Sequence, residues 1–377
     1  MNFKRVLAIS SKEFIQIRRD PRSLALALFI PVLLLLIFGY GLSLDIDRVR
    51  TVVWNQDASS QLSRDFLLNF RNSKYFKIVK YTDNYRDIQR MIDSGDVIMA
   101  LVIPKDFSHF IEGGKSSPLQ LLVDGSDSNT ATIAMGYVRS VVTGYNVKLI
   151  VDFLNRHGVS QPGSVDMRSR IWYNMSLSST WFIVPGVIAM IIMIIAALLT
   201  SICVAKEWER GTMEQLISTP VKAPELIIGK FIPYFTIGFL DLFVGVVMAR
   251  LFFGVPFRGS YSLLVFLSSL FLVGALSQGI FISTVARSQL LASQLAMLTT
   301  FIPTMLLSGF IYPIFNMPQA VQAVTYFIPA RYYVTILRGL FLKGNGIDVM
   351  WDEALFLLLF ALLMFSLAIK KFKKKVF

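Results

Sequence analysis

Side chains able to do chemistry are sparse among these 377 residues, with two histidines and a single cysteine. His109 and His157 stand far apart and neither belongs to an HExxH pattern, so the paired histidines of a zinc protease are missing. Gly114, Lys115 and Ser116 imitate the end of a phosphate-binding loop, but its first glycine would fall at position 109, which is histidine. Asp124 to Asn129, DGSDSN, has the look of a cation loop without the later glutamate of a calcium-binding hand. A turn capping the following helix is the better reading. Cys203 rules out an internal disulfide or a cysteine zinc cluster and reads as a small packing residue. No catalytic constellation survives, and no metal site is expected.

One carboxylate stands apart. Asp241 lies 11 residues beyond Lys230 in an apolar run, which places it roughly 16 Å along a helix, near the centre of a bilayer. A carboxylate at that depth is a functional candidate. It could attract a cationic substrate, carry a proton, or make a polar contact to a neighbouring helix. Phe301 and Met305 are candidates for lining a greasy path, although membrane cores are rich in both residue types.

The elements that must position such groups are membrane helices. Hydrophobic residues make up 54% of the chain, charged residues only 16%, and the mean hydropathy is +0.59; an ordinary soluble domain carries about 25% charge. Crossing about 30 Å of hydrocarbon takes roughly 20 residues. Six runs qualify: 23–44, 179–205, 226–254, 260–286, 289–312 and 351–369. The third holds Lys230, Asp241 and Arg250, so it must tilt or bury them in protein. The first is too long for a secretory h-region and lacks a small-x-small cleavage site, so it reads as a retained helix.

Six crossings put both termini on one face. Lys4, Arg5, Lys12, Arg18, Arg19 and Arg22 before the first run, and five lysines in the tail 370–377, assign that face to the cytoplasm. The net charge of +13 therefore reflects topology, and nucleic acid is excluded as a partner because the basic residues sit at membrane edges. Segment 1–22 contains the amphipathic stretch Phe3 to Ile17, expected to lie along the inner surface. Segment 45–178 then lies outside the cytoplasm. Strand-like runs VRTVVW, FKIVKY, VIMALVIP and LQLLVDG alternate there with helical spacing at 60–72, 85–94 and 131–155, which predicts a small α/β domain. Arg168 and Arg170 precede a predicted interfacial belt of Trp172, Tyr173 and Trp181.

The segment KEWERGTMEQLISTP, 206–220, is wedged between the second and third runs and lies within a cytoplasmic connector, 206–225. Gly211 can end one helix in a left-handed conformation. Thr212 with Gln215 fits a capping box, and Met213, Leu216 and Ile217 give the short helix an apolar face until Pro220 stops it. Physics leaves two readings open: an element that transmits force, or a plain turn of the chain.

The connector EWERGTMEQLISTPV with ELIIGKFIPY, the outer stretch SGFIYPIFNMPQAVQAVTYFIPARYYVTILRGLFLKG, and DGSDSNTA with RIWYN carry a resemblance over essentially the whole chain. It resembles the ABC-2 type permeases, in particular bacterial multidrug-efflux members with a large extracytoplasmic domain after the first span. That resemblance implies a six-helix polytopic membrane fold of the ABC-2, type V exporter kind. It also implies a dimer, of identical or related chains, in the bacterial inner membrane. Two ATP-binding cassette subunits would drive it, with ATP and magnesium held by them and no cofactor or catalytic site in this chain. The coupling role would fall on Glu207, Glu209, Arg210, Gly211, Thr212, Met213, Glu214 and Gln215. The outer hairpin, 313–350, would be partly re-entrant; Pro329, Arg331 and Arg338 agree with that from their own chemistry. Export of a small amphipathic or drug-like substrate follows as the expected function, with a periplasmic adaptor as a further candidate partner beside membrane lipid. The rival is a motor-less receptor or attachment protein of the same architecture, which would be expected to lack the charged connector.

Overall fold

The computed structural model describes residues 2–41, 48–156, 173–174 and 178–372. It divides into two compact units, residues 1–43 with 171–377, and residues 44–170. Arg168, Arg170, Trp172, His157 and the last three tail lysines lie outside the described residues.

The chain opens with helix α1 (Phe3–Arg19), whose inward stripe is Val6, Ile9, Ser10, Glu13 and Ile17. Spacing of three and four puts these on one face, and Asn2 caps the helix by accepting from the Lys4 amide at 3.1 Å. After Asp20 the first apolar run starts as α2 (Pro21–Leu24), widens into a π-helical turn over Ala25–Phe29, and continues as α3 (Ile30–Gly41). The widening has a local cause. Pro31 has no amide to give, and the Ile30 amide just before it bonds five residues back to the Ala25 carbonyl.

The second unit is built on a mixed four-stranded sheet in the order β2-β1-β3-β4. Its elements in chain order are β1 (Val49–Asn55), α4 (Gln61–Asn72), β2 (Phe76–Tyr81), α5 (Tyr85–Asp93), β3 (Met99–Ile103), α6 (Phe107–Glu112), β4 (Gln120–Val123) and α7 (Ser128–Arg156). The strands coincide with the apolar runs read from the sequence. β1 pairs in parallel with β2 and β3, and β4 returns antiparallel on β3. Every residue of the central β3 is buried, as expected of a strand covered on both faces. Phe66, Phe70, Phe107 and Tyr145 seal one side, the Phe66 ring 5.0 Å from that of Tyr145.

The membrane unit resumes with α8 (Ser179–Glu209), α9 (Thr212–Ser218), α10 (Ala223–Leu251) and α11 (Tyr261–Ala286). Then follow α12 (Gln289–Ala296), a π turn at Met297–Phe301, α13 (Ile302–Leu307), α14 (Gln319–Thr325), α15 (Pro329–Arg338) with a π turn to Lys343, and α16 (Trp351–Lys371). Among the described residues, five helices are long and apolar enough to cross a membrane: α8, α10, α11, the α12–α13 segment and α16. The first run supplies a shorter apolar helix, Ala27–Gly41. α8 is the hub, with 89% of its apolar window buried against 22% for α12–α13 and α16. Its close neighbour α11 approaches at Gly279, where an added Cβ would stand 2.7 Å from the Ala197 carbonyl.

Several boundaries move from those read in the sequence. The third run begins at Ala223 and stops at Leu251, because Pro224 and Glu225 belong to its first turn. The fifth ends at Leu307 instead of continuing to 312, since Gly309 turns the chain at φ +78°. Its π turn repeats the pattern of the first run, with Ile302 bonding back to Met297 just before Pro303. At 10 residues, α15 is too short to cross. Its Tyr333 stacks on Phe271 at 4.0 Å and shares a 2.7 Å hydrogen bond with Ser268. Arg338 donates to the carbonyls of Phe182, Gly309 and Phe310 at 3.0 to 3.2 Å, tying α15 to the start of α8.

Candidate coupling site

At 31 residues α8 is roughly 46 Å long, more than a hydrocarbon core requires, so its charged last turn projects beyond the apolar layer. Gly211 follows in the left-handed conformation, φ +71°, and α9 turns off from it. The capping box expected at Thr212 is not formed. The N-cap position belongs to Gly211, and the Thr212 hydroxyl instead donates back to the Glu207 carbonyl at 3.4 Å. A residue already inside the helix cannot cap it. The reciprocal contact occurs at the next helix, where the Glu225 carboxylate accepts from the Lys222 amide at 3.0 Å and from the Asn2 amide at 2.6 Å.

Within the connector the residues expected to touch a partner fall into two sets. Glu209, Arg210, Gly211, Glu214 and Gln215 are exposed, and Thr212 is half-buried. Glu207 and Met213 are interior, 3% and 0% exposed. Met213 packs into a cluster with Ile9, Val204, Leu226, Ile227 and Ile280, so α9 is clamped down by its own apolar face. Arg287, which closes α11 in a left-handed turn, lies 4.9 Å over the Trp208 ring. Glu209 accepts from the Gln289 amide at 2.7 Å and also from the Gln289 side chain, joining the connector to the start of α12.

Glu207 belongs to a buried charge cluster. Lys230 Nζ on α10 donates to Glu13 Oε1 on α1 at 2.5 Å and to Glu207 Oε1 on α8 at 3.0 Å. Lys12 reaches the same Glu207 oxygen at 2.8 Å from a half-exposed position. The Tyr234 hydroxyl and the Cys203 thiol both donate to Glu13 Oε2, at 3.4 and 3.8 Å. Two acids and two bases make the set neutral. Burying each ion alone would cost several kcal/mol, and mutual pairing offsets that. Gly229, one position before Lys230, makes the approach possible, since a Cβ there would lie 2.8 Å from Ile9. Further ties hold α1 in place, among them Lys206 to Asp20 at 3.0 Å and Arg5 to the Pro220 carbonyl at 2.5 Å.

Sequence reasoning singled out Glu207 and Lys230 but missed Glu13 and Lys12. The signal for Glu13 was present, as a carboxylate on the apolar stripe of an amphipathic helix. Its partner was not legible, being 217 positions away. Beside the cluster a cleft of about 790 Å³ is lined by residues including Lys12, Glu13, Lys206, Arg210 and Gln289.

Asp241 is 4% exposed and its Oδ2 has no hydrogen-bond partner among the described residues. It shares a helix face with Gly238, which abuts Leu272 of α11, and Gly245, which abuts Ile188 of α8. Phe301 and Met305 are half-buried on the π turn and α13, against the same apolar core. The structure gathers Glu207 with α1 and α10, while Asp241 sits elsewhere along α10. In the second unit, Gly114 closes α6 at φ +70° where a phosphate-binding loop would open a helix. Asp127 Oδ2 accepts from the Thr130 hydroxyl at 2.5 Å, and Asp124 accepts from the Ser126 amide at 2.9 Å, a bond that holds its carboxyl below the usual carboxylate range. DGSDSN is thus a turn leading into α7.

Long apolar helices around a buried hub, with a clamped charged connector between two of them, define a multi-pass helical membrane protein of permease type. Residues 22–370 match the family model described as ABC-2 family transporter protein, and the chain belongs to that family as one of its membrane permeases. It is 38% identical over its whole length to the probable multidrug ABC transporter permease YbhS of Escherichia coli K12, covering 98% of that protein. Its identity to the probable multidrug ABC transporter permease YbhR of the same strain is 29%, over 99% of this chain and all of that one. To the inner membrane transport permease YhhJ of that strain it is 29% identical over 76% of this chain and 75% of the other.

Proposed function

We propose that the chain is the permease subunit of an ATP-binding cassette exporter, moving small amphipathic or drug-like molecules out of the cytoplasm. Two such permeases, identical or related, would pair in the bacterial inner membrane and be driven by separate ATP-binding subunits. The relatives named as multidrug permeases support the substrate class. In this reading the first run is a sixth crossing, both termini are cytoplasmic, the α/β unit 45–178 is extracytoplasmic, and the α14–α15 hairpin dips into the outer leaflet. ATP and magnesium belong to the partner, and a periplasmic adaptor would dock on the α/β unit.

The observation that carries this is the wiring of the connector. Its exposed residues, Glu209, Arg210, Gly211, Glu214 and Gln215, offer a contact surface, while Glu207, Glu209 and Met213 fasten that surface to α1, α10, α11 and α12. A push on α9 is therefore delivered to several helices at once, because close-packed elements move as bodies. Asp241 serves in this reading as a site for a cation or a proton on the transport route. Copurification with the ATP-binding subunit, followed by a vanadate-sensitive ATPase assay of wild type and Gly211→Pro, tests the proposal. Stimulation by wild type and its loss in a folded variant is expected; a wild-type permease that neither binds nor stimulates such a subunit would refute it.

A further inference from the structure

A groove of about 540 Å³ runs between the outgoing end of α10 and the first turns of α11. Phe239, Phe243 and Val247 line one wall, and Leu264 and Val265 the other. Arg250 is the one charged residue of that lining. Its Nη1 donates to the Tyr261 hydroxyl at 2.6 Å, and Phe257 stacks on the Tyr261 ring at 4.4 Å. The guanidinium is exposed and has no carboxylate partner among the described residues.

The spacing is informative. Arg250 stands twenty positions beyond Lys230 on one helix, roughly 30 Å, which is the thickness of a hydrocarbon core. α10 thus sets one cation at each membrane face. Phe239 lies eleven positions before Arg250, roughly 16 Å, about the depth of one leaflet. An apolar channel one leaflet deep ends at an exposed, oriented cation.

We infer that this groove binds an anionic phospholipid from the leaflet at the Arg250 end, one acyl chain lying against Phe239, Phe243 and Val265 and the phosphate on Arg250. Tyr261 is the positioning residue that aims the guanidinium. A second copy of the chain fits the groove less well, since an apolar helix laid there would cover Arg250 without supplying an anion.

The test uses the full chain in phosphatidylethanolamine nanodiscs doped with phosphatidylglycerol carrying a photoactivatable acyl chain. A phosphatidylcholine probe with the same chain serves as reference. Labelling of the peptide spanning Phe239 to Leu251 is expected to favour phosphatidylglycerol by about fivefold, the selectivity of one basic residue at a membrane surface. Arg250→Gln should lose the preference while Arg250→Lys keeps it, and Val247→Trp should block labelling by both probes. Equal labelling by the two lipids in wild type, or a preference unchanged in Arg250→Gln, overturns the inference. So does a disulfide between Phe243→Cys copies that excludes both probes, which would place a second copy in the groove.

Discussion

Lys230 on α10 and Glu13 on α1, 217 positions apart in sequence, meet at 2.5 Å with both side chains almost wholly buried. Glu207 completes the contact from α8. The amphipathic N-terminal helix, the apolar helix ending at the connector and the one beginning after it are therefore held by a single ammonium group. Relative sliding of any two would leave a buried charge uncompensated, so the three are expected to move together.

Breaking that contact should be costly. Glu13→Ala is expected to destabilise the permease by about 3–5 kcal/mol, the usual consequence of orphaning a buried ion. Glu13→Leu with Lys230→Met should cost clearly less than the two single changes added together. Thermal unfolding in detergent, followed by the loss of monodisperse protein, measures both; strict additivity would show the pair to be uncoupled.

The two faces of α9 should separate stability from coupling. Met213→Ala opens a cavity in a filled cluster and is expected to cost about 2–5 kcal/mol. Glu214→Arg and Gln215→Arg, at exposed positions, should change stability by no more than about 0.5 kcal/mol yet weaken association with the ATP-binding subunit. A pull-down alongside the melting curves reads the difference, and equal effects on both from either face would contradict the division.

Gly211 holds φ +71° and donates its amide to the Trp208 carbonyl at 3.2 Å. Gly211→Ala should cost about 1–2 kcal/mol, the penalty of a Cβ in the left-handed region, and leave transport largely intact. Gly211→Pro can neither adopt that angle nor make that bond, and is expected to abolish stimulated ATPase activity while the protein still elutes as a folded species.

Asp241 is buried in an apolar helix face with one carboxylate oxygen lacking a hydrogen-bond partner among the described residues. Asp241→Asn is expected to reduce efflux of cationic compounds by about tenfold, the equivalent of roughly 1.4 kcal/mol, with neutral compounds and assembly little changed. Uptake assays on everted vesicles with matched cationic and neutral dyes decide it. A parallel loss of folded dimer would assign the residue to structure instead.

Much of this protein was legible in one dimension. Hydrophobic runs of bilayer length, and short apolar runs alternating with helical spacing in 45–178, each follow from local rules, because burial in lipid or in a sheet imposes its own pattern on the chain. The left-handed turn at Gly211 was legible for the same reason, being a property of one residue and its neighbours. Thr212 was misjudged as a cap because its helix begins one residue earlier than composition implies.

Sequence alone determined that this chain crosses a membrane and carries a short charged helix between two crossings. Tertiary structure decided which charges of the connector leading into that helix face outward and which are held inside. Glu207 and Glu209 look alike in sequence, but only Glu207 meets Lys230 and Lys12, while Glu209 reaches Gln289. Ion pairing inside a packed interior depends on where distant segments come to rest, and no local repeat encodes a contact made across more than two hundred residues.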